Sequence, residues 1–540
     1  MKLFTVILAT IQLVFSFPSP TPIQTNTSPL QMHRLSYYQY VSSQTSAKNA
    51  LATIHTLCSQ DFTGRQSGTV GCEHSADWIT QYMEQLHLQP CQLESPGSYL
   101  QNFSVPLVQI ETPTKCLYHG NPVTEFEYRN EFYPYLKSDS GFHKSEGVFA
   151  GFGIQTSDYD DYANTDVKDK VVIVLSGQPS FLSSLPYVDH ANIQQKIANA
   201  KKKGAKAVLI VNQNADSTSV NWEKKEVYDP GTILGILIGF LSLAAAEIIF
   251  QDYSLSTDMI INTIESSKKP FTFTILESLE IEITISKEEE TTSNVIGFIP
   301  SQTPTLSSFL ITAHYDHLGQ DSINDAYYFG ANDNASGVSV MLEIARTFQD
   351  IFFTTNIHIV FIAFSGEEEG LIGSKWYVEH PLFPLDEIVG VINLDMVGVG
   401  DSSLIAGTDD HFYPELCDSI QEASDTLDIP IEFTPGGLWS GSDQYYFHKN
   451  NVPCVFFWKS GTNVWETYHT PRDIPSLIIV ENLQETLQIC AYTTLSMIHP
   501  DFLFFPSPPL EIVHSEYYLE SIHKNDFPLL SHYFGYQFET

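Results

Sequence analysis

From residue 294 onward the chain alternates short unbroken apolar runs with amphipathic stretches, and this alternation narrows the fold more than any other feature. The runs at 309–313, 357–364, 388–394 and 452–457 are rich in β-branched and aromatic residues and have the length of strands buried on both faces. Between the first two, Val338, Met341, Leu342, Ala345 and Phe348 recur at helical spacing. Strands separated by helices are brought side by side by crossovers, which makes them parallel. The expected fold is therefore α/β, a doubly wound, mainly parallel sheet with helices on both faces.

Upstream the texture differs. Residues 46–87 read as helix, loop and helix around the glycine-rich turn 62–69. From 105 to 292 aromatic and β-branched runs, Pro and Asp turns and one strand-helix-strand unit predict an inserted α+β, β-rich domain. In that unit 171–175 is a strand, 193–203 a helix closed by Gly204, and 207–211 the next strand. Phe271, Phe273 and Ile275, then Ile281, Ile283 and Ile285, alternate with polar residues as in half-buried strands. The charged stretch 287–292 reads as the exit from this domain. The apolar stretch 232–250 is broken by Gly235 and Gly239 and closed by Glu247, so it reads as a buried strand and the start of a helix, not a membrane span.

Composition excludes some functions. Lys and Arg number 26 against 64 Asp and Glu, a formal charge of −38 that repels phosphate backbones and anionic lipid, so no nucleic acid is expected as a partner. Lys2 followed by the apolar run 3–15 and a Pro-rich stretch has the layout of a secretory signal peptide, assigned to 1–17. The expected location is secreted or otherwise extracytoplasmic, with no transmembrane anchor after cleavage. Seven cysteines without C-x-x-C spacing allow up to three disulfides of unreadable pairing and offer no thiolate zinc site. Asn26 and Asn102 head glycosylation triplets; Asn334 does too, but its neighbours make it part of a site loop. The oligomeric state and the role of the tail 501–540 are not readable.

In doubly wound sheets the ligand site lies off the carboxyl ends of the strands. Here those positions hold metal-ligand residue types: His314 and Asp316 after the first run, Asp333 in a Gly-Ala-Asn-Asp-Asn-Ala-Ser-Gly loop, Glu367, Glu368 and Glu369 after the second, Asp395 after the third, and His469 beyond the fourth. Singly, each is explained as a surface histidine or as acids at a helix start. Together at successive strand ends they read as a metal site of imidazole and carboxylate, suited to zinc or a harder divalent ion. Asp333, Glu368, Asp395 and one metal-bound hydroxide carry the charge that two divalent ions neutralise, with Asp333 as the natural bridge between ions about 3.5–4 Å apart. Asp316, two residues past His314, is placed to orient its imidazole. Glu367 and Glu368 point apart, so one can bind metal while the other takes a proton from bound water. His317, Asp321 and Asp325 read as loop solubility residues.

The motifs His314-Tyr-Asp316-His-Leu-Gly, Gly330-Ala-Asn-Asp333-Asn-Ala-Ser-Gly337, Phe364-Ser-Gly-Glu367-Glu368-Glu-Gly-Leu-Ile-Gly-Ser374, Asn393-Leu-Asp395-Met and Tyr468-His469-Thr-Pro resemble those of the co-catalytic two-zinc exopeptidases. That family spans aminopeptidase Y, bacterial leucyl-type aminopeptidases, glutamate carboxypeptidases and the transferrin receptor. The resemblance divides the chain into the signal peptide, an N-terminal segment of the peptidase domain at 18–104, an inserted protease-associated domain at 105–292, a zinc peptidase domain at 293–500 and the tail.

It implies two zinc ions, one on His314, Asp333 and Asp395, the other on Asp333, Glu368 and His469. Glu367 becomes the general base, Asp316 the partner of His314, and Tyr468 a donor to the tetrahedral oxyanion. Ser442-Asp443 takes a structural or pocket-lining place, and Asn332 stands where many relatives have another small polar or acidic residue. The implied activity is a secreted aminopeptidase acting on peptide substrates by attack of a zinc-bound hydroxide. The alternatives are a carboxypeptidase or dipeptidase, a single-zinc cyclase of the same fold and a non-catalytic receptor-like relative. A carboxypeptidase needs a cation aimed into the cleft, and Arg346, Lys375, Lys459 and Arg472 are the candidates near the motifs. Glu369 or Asp443 is a candidate anchor for a substrate amine.

Overall fold

In chain order the strands that build the site and its surroundings are β1 (Leu100–Tyr118), β2 (Phe132–Pro134), β3 (Gly141–Ala150), β4 (Val171–Leu175), β5 (Ala207–Val211), β6 (Leu237–Leu241), β7 (Thr272–Ile299), β8 (Ser308–His314), β9 (His358–Phe364), β10 (Ile388–Leu394), β11 (Leu404–Gly407), β12 (Ile431–Thr434) and β13 (Cys454–Trp458). The structure is a computed structural model that describes residues 29–182, 192–212, 235–321, 326–351, 355–434 and 441–498. The expected signal segment 1–17, Asn26 and the tail 501–540 lie outside these residues, and the fold is that of the unit Leu35–Pro500.

One sheet carries all these strands in the order β12–β11–β13–β10–β8–β9–β7–β3–β4–β5–β6–β2, with β1 laid along β7. β8, β9, β10 and β13 are mutually parallel neighbours, as the continuous apolar runs require. β7 closes this half antiparallel to β9. On the other side β3, β4, β5 and β6 are parallel and β2 is antiparallel to β6.

β7 has 28 residues, about 90 Å at an ordinary strand rise. One end pairs with β9 and the other with β3, so it belongs to both domains. The stretch 287–292, expected to be a domain exit, lies inside this strand, paired with β1 from Lys287 opposite Val108 to Thr292 opposite Phe103. It joins the part paired with β3, which ends at Ile283, to the part paired with β9, which begins at Val295, so the chain leaves the inserted domain as strand, with Lys287, Glu288 and Glu289 exposed while their main chain stays hydrogen-bonded.

Helices α1 (Ala47–Leu57) and α2 (Val70–Gln85) flank the glycine-rich turn; α3 (Ile193–Lys202) and α4 (Leu243–Gln251) belong to the inserted domain; α5 (Ser336–Asp350) and α6 (Val480–Ile498) pack in the peptidase half. α4 follows β6 directly and is capped by Ser242, whose hydroxyl accepts from the Ala245 amide, so its described part confirms the 232–250 stretch as strand and helix. No helix among the described residues is long and apolar enough to cross a membrane. The inserted domain's core includes Phe149 and Phe250, which meet edge to face at 5.1 Å, with the half-buried Phe273 packed against it. All seven cysteines are buried free thiols, so none of the disulfides their number allows is present.

The two domains also meet through a buried ion pair. Arg129, just before β2, pairs through Nε with Asp321, and its guanidinium lies 4.9 Å from the Tyr133 ring and 5.4 Å from the Tyr328 ring. Asp321 is thus a partnered junction residue and not a solubility residue, while Asp325 lies outside the described residues.

Candidate metal centre

Parallel registry brings the carboxyl ends of four strands to one edge. His314 ends β8 opposite Phe364, and Leu394, just before Asp395, stands opposite Phe457. Asp333 lies in the loop that opens α5, with a cis peptide to Asn334, and His469 sits at φ +59°. Three polar side chains fix that loop. Asp473 accepts from the amides of Asn332 (2.8 Å) and Asp333 (3.0 Å), Asn334 donates to the Leu394 carbonyl (2.8 Å), and Asn332 accepts from Gly398 and Val399 (both 2.9 Å).

The N-terminal turn braces the same edge from below. Arg65 is fully buried and donates to the carbonyls of Tyr315 (2.7 Å), Leu57 (2.8 Å), Phe329 (2.7 Å) and Gly330 (2.9 Å), tying the His314 loop to the Asp333 loop. Ser67 donates to Asp316 (3.1 Å) and accepts from the Gly366 amide (2.8 Å). Asp316 accepts from the Glu367 and Glu368 amides at 3.4 and 3.3 Å, and its Oδ1 lies 3.5 Å from His314 Nδ1.

Every residue expected at the site converges. His314 Nε2 is 3.4 Å from both Asp333 Oδ1 and Asp395 Oδ1. His469 Nε2 is 3.3 Å from Asp333 Oδ2 and 3.1 Å from Glu368 Oε2. Asp333 therefore turns one oxygen to each histidine. Ligating atoms of His314, Glu367 and Asp395 lie within 4.8 Å of one another, as do those of His317, Asp333 and Glu368. Glu367 is half-buried, whereas Glu368 is buried at 4% exposure, so the acid expected to move protons is the one that reaches the cleft. The half-buried Tyr468 ring stacks on His469 at 3.7 Å. Ser442 donates to Asp395 at 2.7 Å and accepts from Asn393 at 2.8 Å, which fixes Asp395.

Three expectations change. His317 is wholly buried beside Glu368 and is no solubility residue, because the loop after β8 folds inward under the Gly319 to Gly64 main-chain bond. Asp443 is wholly buried and Glu369 nearly so, and the charge of Asp443 adds to the effect of burial on Glu367, so both are interior acids beside the site and not solvent-exposed ones. Sequence reasoning also missed Arg65, Asp473 and Arg129; only the glycine-rich turn around Arg65 and the place of Asp473 just beyond His469 gave any signal.

The electrostatics follow from packing so many acids together. Burial pushes Glu367 well above the usual carboxylate range, with Glu368 and Asp395 adding to the effect against the opposing charge of His314. Burial acts the same way on Asp333 and Glu368, but the facing imidazoles of His314 and His469 hold Asp333 well below that range, and the charge of His469 holds Glu368 at about 2. Burial disfavours charge on the histidines, yet the carboxylates hold His314 well above the ordinary value and His469 at about 10. The pocket thus demands positive charge. Asp333 Oδ2 and His469 Nε2 are buried at ion-pair distance without hydrogen-bond alignment, as ligand atoms aimed at a common point would be. Imidazole and carboxylate donors without thiolate fit zinc.

Residues 294–494 match the model of peptidase family M28 and 136–249 that of the PA domain. The chain is 28% identical over 345 residues to aminopeptidase YwaD of Bacillus subtilis, covering 62% of this chain and 63% of that one. It is 40% identical over 164 residues to a probable zinc metalloprotease of Pyrenophora tritici-repentis, covering 29% and 34% respectively. The matches thus span less than two thirds of these relatives. Among solved structures, a zinc aminopeptidase from Bacillus subtilis superposes with a TM-score of 0.59 at 24% identity, over 83% of this chain and 94% of that one. An aminopeptidase from Aneurinibacillus sp. strain AM-1 superposes at 0.57 and 22%, over 85% and 96%. These likenesses establish the fold, with the PA domain in the same sheet. Residues 294–494 thus form a peptidase family M28 domain, with a PA domain ahead of it in the chain.

Proposed function

We propose that the chain is a two-zinc exopeptidase that removes residues from the free amino end of peptides. The observation that carries this reading is the buried alternation of Asp395, His314, Asp333, His469 and Glu368, a run of facing acids and imidazoles with carboxylates in excess. His314, Asp333 and Asp395 would hold one ion, and Asp333, Glu368 and His469 the other. When bound, such a pair polarises a carbonyl and makes water acidic enough to ionise near neutral pH.

The chain's own residues supply the rest. Glu367 takes the proton of the attacking water and returns it to the leaving amine, a role its partial exposure and raised proton affinity suit. Tyr468, held against His469, offers its phenol to the developing oxyanion. Asp316 holds the Glu367 and Glu368 amides and faces His314, so base and ligands keep one geometry.

An amino-end reading also fits the local cations. Arg346 is paired with Glu343 and Asp350, Lys459 lies 2.8 Å from Glu485, and Arg472 donates to the Glu466 carbonyl at 2.9 Å. The commitments of these three do not favour clamping a substrate carboxylate, and Lys375, the fourth candidate, is exposed. Metal analysis of the purified chain is expected to return two zinc ions per molecule; one ion or none at saturating zinc contradicts the reading. The signal-like segment supports export as part of the proposal, and recovery of the chain only from the cytoplasm of its host would argue against it.

A further inference from the structure

His317 stands outside the ligand set implied by the motifs, yet its Nδ1 lies 2.8 Å from Oε1 of Glu368. The other oxygen of that carboxylate, Oε2, lies 3.1 Å from Nε2 of His469. The two oxygens of Glu368 are thus divided between two imidazoles, only one of which belongs to the proposed ligands. The distance from His317 Nδ1 to Asp333 Oδ2 is 3.8 Å, too long for a hydrogen bond, so the Nδ1 hydrogen bond goes to Glu368 and the bridging acid is met through charge alone.

The fold builds a seat for this ring. His317 is wholly buried and packs against His469 at 5.9 Å and 68°. Gly330, at φ +55°, makes room for it: a Cβ there would come within 2.5 Å of His317 Cγ and 2.2 Å of the Asp333 carbonyl oxygen. Arg65, bonded to the Gly330 carbonyl, holds that wall in place. An ionised carboxylate only accepts hydrogen bonds, so the 2.8 Å contact requires His317 to carry its proton on Nδ1.

We propose that His317 is a positioning residue for the second metal position. By donating Nδ1–H to Oε1 it stops Glu368 from rotating and leaves Oε2 as the oxygen presented beside His469 and Asp333. The inference rests on the two-zinc reading and extends it to a residue outside the ligand set. Fixing a ligand from behind in this way is typically worth about 10- to 100-fold in metal affinity.

The test is zinc titration of the chelator-stripped full chain against a chromophoric chelator, for wild type and for His317→Leu, His317→Asn and His317→Gln. An Asn amide can place a donor near the Nδ1 position, whereas a Gln amide places it near Nε2. His317→Leu is expected to bind one ion as wild type does and the other about 10- to 100-fold more weakly. His317→Asn is expected to recover most of that loss and His317→Gln little of it. Unchanged affinity for both ions in His317→Leu overturns the proposal. So does equal weakness of the Asn and Gln variants, which would make the ring a ligand or mere packing; that comparison stands even if His317→Leu fails to fold. Wild type binding fewer than two ions would instead refute the two-zinc reading itself.

Discussion

Glu367 and Glu368 are adjacent acids given different work by a difference in exposure and by the partners each faces. Glu367→Gln removes a proton carrier but no ligand, so two ions should remain bound while turnover falls by about 10²- to 10⁴-fold, checked by metal analysis beside steady-state rates. Glu368→Gln should instead lose one ion; the reverse pattern would exchange the two roles. His314, Glu368 and Asp395 were legible because each sits at or shortly past a strand end, where a parallel sheet gathers side chains at one edge, whereas Asp333 and His469 stand in loops and were legible from their motifs. His317 was not. It lies three residues beyond His314, in a loop whose inward path depends on the Gly64 to Gly319 contact and on the Arg65 carbonyl bonds, and these come from a segment about 250 residues away. Of the two places open to Ser442-Asp443, the structural one fits the geometry, since both residues pack wholly inside and Ser442 donates to Asp395.

At the scale of elements, strands 171–175, 207–211 and 388–394 read in sequence with the bounds the structure has, because continuous β-branched runs have no other stable home in a sheet of this kind. β7 was not legible as one strand, since its exposed charged middle looks like a linker and its pairing with β1 joins residues nearly 180 apart. That shared strand means the inserted domain cannot be excised without cutting the sheet, so the junction is better probed at Arg129 and Asp321. Arg129→Met leaves a buried carboxylate without its cation and is expected to cost about 3–5 kcal/mol in denaturant unfolding. Arg129→Met with Asp321→Leu should recover part of that; if the double variant is as unstable as the sum of the single ones, the pair is not coupled.

Asp161 allows an element-level test by pH. It is buried, accepts from the Phe152 and Ile154 amides, and burial holds its carboxyl at about 6 against an ordinary 3.8. The folded state therefore binds this proton more tightly than the unfolded state. Its contribution is fully present below the unfolded value and is lost as pH rises through about 6, a fall of roughly 3 kcal/mol. Asp161→Asn should flatten that fall in unfolding curves taken from about pH 4 to 7, and an unaltered slope would place the titration elsewhere.

For the whole molecule, the two-domain plan and the acid balance were readable from composition and texture, while the continuity of one sheet through both domains was not. A charge of −38 around a pocket that itself calls for cations should draw cationic peptide amines, so kcat/KM for lysine-containing peptides is expected to fall with added salt more steeply than for neutral ones. The most direct test of the central claim sets a free peptide beside its N-acetylated twin, with and without a chelator and then with zinc restored. The account predicts stepwise release of residues from the free amino end, no cleavage of the acetylated twin, loss of activity with the chelator and recovery with zinc. Cleavage of the acetylated peptide at its carboxyl end, with the free amino end left intact, would contradict it.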